Sequence, residues 1–587
     1  MNKYKIVGLV LLLQMVFVAQ GQDEDDVPKI YKYWVELSDK EVSKYSTDKP
    51  IVYLTQRAID RRKKQNIAVT EQDFPVNETY ITNINSDFNA QVLSRSRWFN
   101  ALIVETYEED VIKGINELSF VKKSTLLGKW DDEDDDMDDD FDKDSAYYAA
   151  LDIAVEEYSE PSRKSVIDYT SASELKDGIY GDAHTQIKIL NGIKLHDMGY
   201  DGSGMVIAIL DAGFHHANTM PQFDSLFANG QILGTKDFVD FDLDVYKDDN
   251  HGMSVLSCMG ANIPGEIVGT APKASYWLIR TEDGASEFPV EEANWVVGIE
   301  FADSMGADVV NSSLGYTGFE GDFKRKISVL NGKTSLATLS ADIAASKGII
   351  ICTSAGNSGE DKEWKFIGTP ADAFNVLSVG GITKSKDRSS FSSYGPTADG
   401  RIKPTVSAVA TNSVVAEGDG AGTSNGTSFA SPIMCGMVAC LWQANPTKTY
   451  KEVMDAIIKS ASHYSKPDNS FGHGVPDFYY ANILLGNTKN FDNSQDQLIS
   501  PVISSFTSWI DIRFYSTSNQ EIDILVEYEA KEGGKRKKAY NSQQMVKANE
   551  IFSFNPGKKL KAKKTEGKYF LTITTANGTQ FIRDLKK

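Results

Sequence analysis

The sequence predicts an α/β protein whose main body is a buried parallel sheet, set between a small α+β unit and a C-terminal β unit. Three observations predict it. First, apolar runs at 205–210, 276–279, 308–310, 349–352 and 375–379 do not alternate with polar residues, so they read as strands buried on both faces. Second, helical spans at 290–305 and 334–347 fall between those strands, the order expected of helical crossovers. Third, composition shifts near residues 180 and 487, which bounds this region on both sides. At 587 residues, with 41% apolar and 10% aromatic content, the chain has material for several globular cores.

Residues 1–21 read as a secretory signal peptide: Lys3 and Lys5 precede an apolar run to Ala19, followed by Gln20 and Gly21. The run is short and contains Gln14, which argues against a membrane anchor, and no membrane-spanning stretch follows it. Residues 22–130 mix strand-like runs (31–35, 101–104) with helix-like ones (56–65, 108–117), giving a small α+β unit. Residues 131–179 open on eleven acids and one lysine between Asp131 and Asp144, which supply −10 of the net −21. Like charges at that density stay solvated, so this is a linker and an accessible cut site. Nothing basic enough for nucleic acid accompanies it, and no EF-hand pattern orders the acids around calcium. The parallel-sheet region spans 180–486. From 487 to 587 the chain turns basic, with sixteen Lys and Arg against eleven acids from Phe491 onward. Runs at 522–528 and 569–574, separated by the turn signals Gly533-Gly534, Asn555-Pro556-Gly557 and Asn577-Gly578, predict a small β-sandwich. Cys258, Cys352, Cys435 and Cys440 all lie in apolar surroundings and read as small buried hydrophobes, and no zinc-binding spacing is present.

The chemistry gathers around Ser428. It stands between a glycine-bearing turn and a helical run, where free backbone N–H groups and the positive end of a helix favour a developing anion. By itself Gly-Thr-Ser is as readily an N-cap. An activated serine also needs a base and a carboxylate to orient it. Of seven histidines, His251 is the one followed by glycine at a helix start, and Asp211 ends the first buried strand. Asn357 follows the 349–352 strand and offers an amide N–H to an oxyanion.

In the order Asp, His, Asn, Ser, these residues and their surroundings resemble the subtilisin-like serine peptidases. The motifs are Ile209-Leu210-Asp211-Ala212-Gly213, His251-Gly252, Ser354-Ala355-Gly356-Asn357 and Gly426-Thr427-Ser428-Phe429-Ala430-Ser431-Pro432, supported by Asn311-Ser312-Ser313-Leu314-Gly315. The resemblance implies a subtilisin-like catalytic domain, with Asp211, His251 and Ser428 as the triad and Asn357 as side-chain oxyanion donor. It further implies that Ser313, Leu314 and Gly315 pair with an extended protein or peptide substrate, that Ser354, Ala355 and Gly356 face it, and that Gly368 floors a pocket open to a large apolar side chain. Residues 31–122 resemble the inhibitory propeptides of the same family, an intramolecular partner of the catalytic domain. The chain end, from Gly567 to Lys587, resembles the C-terminal sorting domain of type IX secretion. No cofactor is required. Structural calcium is common in the family, but the sequence places no ligands for it.

Two departures stand out: Ala212 replaces the usual Thr or Ser, and Met253-Ser254 replaces Thr-His after His251-Gly252. They leave room for a second reading, a catalytically silent binding or adhesion protein. An α/β-hydrolase lacks support, because Gly-x-Ser-x-Gly is absent around Ser428 and the order Ser, Asp, His is not met.

Overall fold

The computed structural model describes residues 29–40, 44–131, 178–242, 244–321, 323–487, 497–504, 509–516, 518–529, 534–547, 551–554, 568–576, 578 and 580–585. The expected signal peptide, the acidic run beyond Asp131, and Gly533, Asn555-Pro556-Gly557 and Asn577 of the expected turns lie outside the described residues.

A seven-stranded sheet forms the main body. Across it run Val406–Val409, Val376–Ile382, Ile350–Ser354, Val309–Ser312, Val206–Asp211, Ser275–Arg280 and Ile232–Asp237, every neighbouring pair parallel. All residues of the first six are buried, which is why their sequences do not alternate. The edge strand Ile232–Asp237 is only half-buried over most of its length, and it carries no continuous apolar run. The chain enters the sheet at Val206–Asp211, builds out to one edge, then returns past this strand to build the other side. Winding therefore reverses between Val206–Asp211 and Val309–Ser312, and a crevice opens at their carboxyl ends.

The helix Thr427–Ala444 lies against the sheet and is buried from Thr427 through Trp442, consistent with its apolar character on all sides. Cys258, Cys352, Cys435 and Cys440 are buried and unpaired.

The N-terminal unit is a four-stranded antiparallel sheet, ordered Gln91–Ser96, Ala101–Thr106, Lys29–Leu37 and Val121–Asp131, with helices Gln56–Lys64, Glu78–Asp87 and Val111–Asn116. One sheet face packs on the helix Val290–Ser304: Trp34, Ala101, Ile103 and Leu127 meet Val290, Ala293 and Val296. Beside this apolar contact lies a buried ionic one. Asp303 accepts from Arg62 at 2.7 Å, from Arg97 at 2.8 Å and from Arg61. Glu300 accepts from Ser96 Oγ at 2.5 Å and from the backbone N–H groups of Arg97 and Trp98 at 2.8 and 3.2 Å. Arg62 also meets Asp73, which is paired with Lys347 at 3.0 Å.

The C-terminal region holds two antiparallel sheets. Gln497–Ser504, Trp509–Tyr515 and Ile551–Phe554 make one; Lys537–Val546, Gln520–Glu529, Lys568–Thr574 and Gln580–Leu585 make the other. Ile522, Ile524 and Val526 alternate onto a buried face, the pattern expected when one side of a sheet is covered.

Candidate active site

Asp211, fully buried, ends the central strand Val206–Asp211, and His251 opens the helix His251–Gly260. Gly252 lets that helix close on the strand. A Cβ there would lie 2.3 Å from the Gly213 carbonyl oxygen and 2.9 Å from Asp211 Cβ, so any larger residue would push His251 away. Asp211 Oδ1 accepts from His251 Nδ1 at 2.6 Å and from the Ala212 N–H at 2.9 Å. With Nδ1 donating, Nε2 is left as the basic nitrogen. Burial pulls the His251 pKa down, but the bonded Asp211 carboxylate outweighs it and the net shift is upward. Asp211 Oδ2 is buried without a hydrogen-bond partner among the described residues, and Ala212 beside it has no hydroxyl to offer.

Ser428 is the second residue of the helix Thr427–Ala444, whose N-cap Gly426 sits at φ 155°. Its Oγ donates to the Ser313 carbonyl at 3.2 Å rather than to His251. Pro432 explains a reciprocal bond. A proline four residues on cannot donate to the Ser428 carbonyl, and Ser313 Oγ donates to it instead at 2.7 Å. A relay stands behind Ser313: Ser431 Oγ donates to Asn311 Oδ1 at 2.8 Å, and Asn311 Nδ2 donates to Ser313 Oγ at 3.0 Å. The roles of Asn311, Ser431 and Pro432 are not legible in the sequence, although each belongs to one of the site motifs.

Asn357 is turned by Thr427, another residue the sequence reading passed over. Asn357 Oδ1 accepts from the Thr427 N–H at 2.8 Å and from Thr427 Oγ1 at 3.0 Å, while the Gly356 N–H donates to Thr427 Oγ1 at 3.0 Å. With its oxygen engaged, the amide leaves Nδ2 as its outward donor, beside Gly426. The remaining residues expected at the site join this patch. Ser354 Oγ donates to the Leu314 carbonyl at 3.2 Å, and the Gly368 N–H donates to the Ala355 carbonyl at 3.3 Å. A Cβ on Gly368 would lie 3.2 Å from the Gly315 carbonyl carbon, and Gly356 holds φ +104°. All eleven expected residues thus cluster at the carboxyl ends of Val206–Asp211, Val309–Ser312 and Ile350–Ser354 or on the elements facing them.

Among the described residues, the carboxylate trio Asp237, Asp240 and Asp248 is the one group whose oxygens converge as metal ligands do. The Arg280 guanidinium already meets all three, at 2.9, 2.5 and 3.5 Å, so a fixed cation occupies the position and the trio does not fit calcium.

Residues 202–474 match the family model described as the subtilase family. Subtilisin from Bacillus pumilus is 30% identical over 283 residues, 48% of this chain and 90% of that protein. This chain is a subtilase. Subtilisin E of Bacillus subtilis (strain 168) is 31% identical over 48% of this chain, and the match spans 65% of that relative's length. Serine protease AprX of the same organism is 27% identical over 50% of this chain and 68% of its own length. The N-terminal unit matches a second model, the peptidase S8 propeptide domain of Bacteroidota, over residues 32–138. In this subtilase the departure at Met253 is a packing one: the side chain is buried in the main core.

Proposed function

We propose that this subtilase is a serine endopeptidase made as a zymogen and exported. In this reading residues 1–21 are the signal peptide, 22–130 the inhibitory propeptide, 131–179 a cleavable acidic linker, 180–486 the peptidase and 487–587 an appended β domain. Asp211, His251 and Ser428 are the triad. His251 Nε2 takes the Ser428 proton as Oγ attacks the scissile carbonyl, and Asp211 steadies the imidazolium that forms. The Asn357 amide and the Ser428 N–H hold the oxyanion. The same imidazolium then protonates the leaving amine, and water repeats the sequence to release the acid. The observation carrying this is the 2.6 Å Asp211–His251 bond, with the His251 ring 6.0 Å from that of Phe429, the residue after Ser428 at the start of a buried helix, and with Asn357 locked donor-outward. Among the described residues no helix is long and apolar enough to cross a membrane.

Labelling with a fluorophosphonate tests it. The wild type is expected to take the label on Ser428, and Ser428→Ala to take none. An unlabelled wild type would overturn the peptidase reading in favour of a silent binding protein, with the unpartnered Asp211 Oδ2 as the first place to look. A graded test is Asn357→Leu. It is expected to lower kcat by on the order of 10²–10³ with KM little changed, a size known from the same donor in subtilisin itself.

A further inference from the structure

Beneath the crevice lies a group of carboxyls that this mechanism does not use. Segments 281–284 and 313–315 continue the strands Ser275–Arg280 and Val309–Ser312, which flank the Asp211 strand on its two sides. They are therefore the two rims of the crevice. Buried side chains join them from below. Tyr316, 1% exposed, donates its hydroxyl to Glu282 Oε1 at 2.5 Å and lies 3.3 Å from the Glu291 carbonyl oxygen. Its backbone N–H donates to the Thr369 carbonyl at 2.9 Å and its carbonyl accepts from the Thr369 N–H at 3.1 Å, beside Gly368. Glu291, also 1% exposed, receives no N–H or hydroxyl donor on either carboxyl oxygen among the described residues. The Tyr316 hydroxyl, shared between Glu282 Oε1 and the Glu291 backbone carbonyl, brings the two glutamates side by side, and each acts on the other's carboxyl. Two ionised carboxylates do not persist at that range in a dry site, because neither can donate and their charges repel.

We propose that Glu282 and Glu291 share one proton and, through Tyr316, act as positioning residues that set the width of the substrate groove. The proposal rests on the endopeptidase reading. Burial raises both carboxyl pKa values; Glu282 raises that of Glu291 further, while hydrogen bonds from Tyr316 and Glu291 pull that of Glu282 part of the way back, as expected if Glu291 carries the proton. The other charges around the pair do not reverse this. Asp283 and Glu287 lie on its own loop and Asp211 on the neighbouring strand, all acidic, with His251 across the crevice. Glu292, on the same helix as Glu291, is paired with Arg325. A raised carboxyl pKa means that the tie holds while the proton is present and is lost as pH rises through the raised value. Once both ionise, the rims are pushed apart.

Steady-state kinetics of the secreted, processed protein tests this, with a peptide long enough to lie along both rims and a single-residue ester that does not. KM for the long peptide is expected to climb about tenfold on going alkaline, the factor that one pKa unit of coupling carries, while kcat and the ester's KM do not follow. In Glu291→Gln, whose amide donates at every pH, that climb is expected to vanish. Should Glu291→Gln fail to fold, Tyr316→Phe keeps the ring and is expected to raise the long-peptide KM already at neutral pH. Infrared difference spectra between wild type and Glu291→Gln supply a readout independent of turnover: a protonated carboxyl C=O band present at neutral pH in the wild type alone. Identical KM–pH curves in wild type and Glu291→Gln, or no such band, overturn the proposal. A chain that shows the band but hydrolyses nothing supports the shared proton and overturns the peptidase reading instead.

Discussion

Ser428→Ala is expected to be secreted with its N-terminal region attached, while the wild type sheds it; intact mass and N-terminal sequence decide. The argument is chemical. In the proposed mechanism the Ser428 oxygen is the nucleophile, His251 its base, and Asn357 with the helix start its oxyanion donors. Removing it takes away covalent catalysis and leaves Asn357 and the helix end acting on water alone. In subtilisin itself the loss is roughly 10⁶ in kcat, and a similar size is expected here. At that level self-cleavage within the proposed linker stops on any practical timescale. If both proteins are trimmed, another protease matures this one and the self-processing part of the reading fails. If neither is trimmed, the orphaned Asp211 Oδ2 beside Ala212 gains weight as the cause of a silent site.

Asp303→Ala is expected to loosen the N-terminal unit from the body by about 3–5 kcal/mol, the usual cost of stripping one partner from a buried ion pair. Asp303 is fully buried and holds Arg61, Arg62 and Arg97 at once. Burial by itself would raise its carboxyl, yet the three guanidinium groups outweigh burial and hold the pKa down at about 2. A depressed pKa places the stabilisation above the ordinary value of 3.8, with loss as pH falls from there toward 2. Across neutral pH the contact is therefore at full strength. Alanine would leave three arginines to share Glu300 and Asp73. The measurement is hydrogen exchange in a Ser428→Ala background, which keeps the two parts covalently joined. Protection of the strands Gln91–Ser96 and Ala101–Thr106 is expected to fall in the double variant. Unchanged protection would mean that the apolar contact of Trp34 and Ile103 with Val290 and Val296 holds the unit without the ionic one.

Much of this molecule was legible in the sequence, for identifiable reasons. A parallel strand covered on both faces must be apolar along its whole length, so 205–210, 276–279 and 349–352 announced themselves as strands. The helix around Ser428 was legible because burial on all sides leaves no polar stripe. Asp211, His251, Asn357 and Ser428 could be singled out as candidates because each sits where an element begins or ends, marked by a glycine or by an abrupt change of polarity. The edge strand Ile232–Asp237 was missed because it is half exposed and mixed in composition, and Val406–Val409 because four residues carry little pattern. What only the tertiary structure decided are the bonds between segments distant in the chain. Thr427 turning Asn357, Ser313 taking the carbonyl that Pro432 leaves free, three arginines of the N-terminal unit on Asp303, and Glu282 against Glu291 all join residues whose spacing bears no regular relation to any local period. Local sequence determines which elements form and which face they bury. The partner of a buried polar group is determined by where packing brings another chain segment.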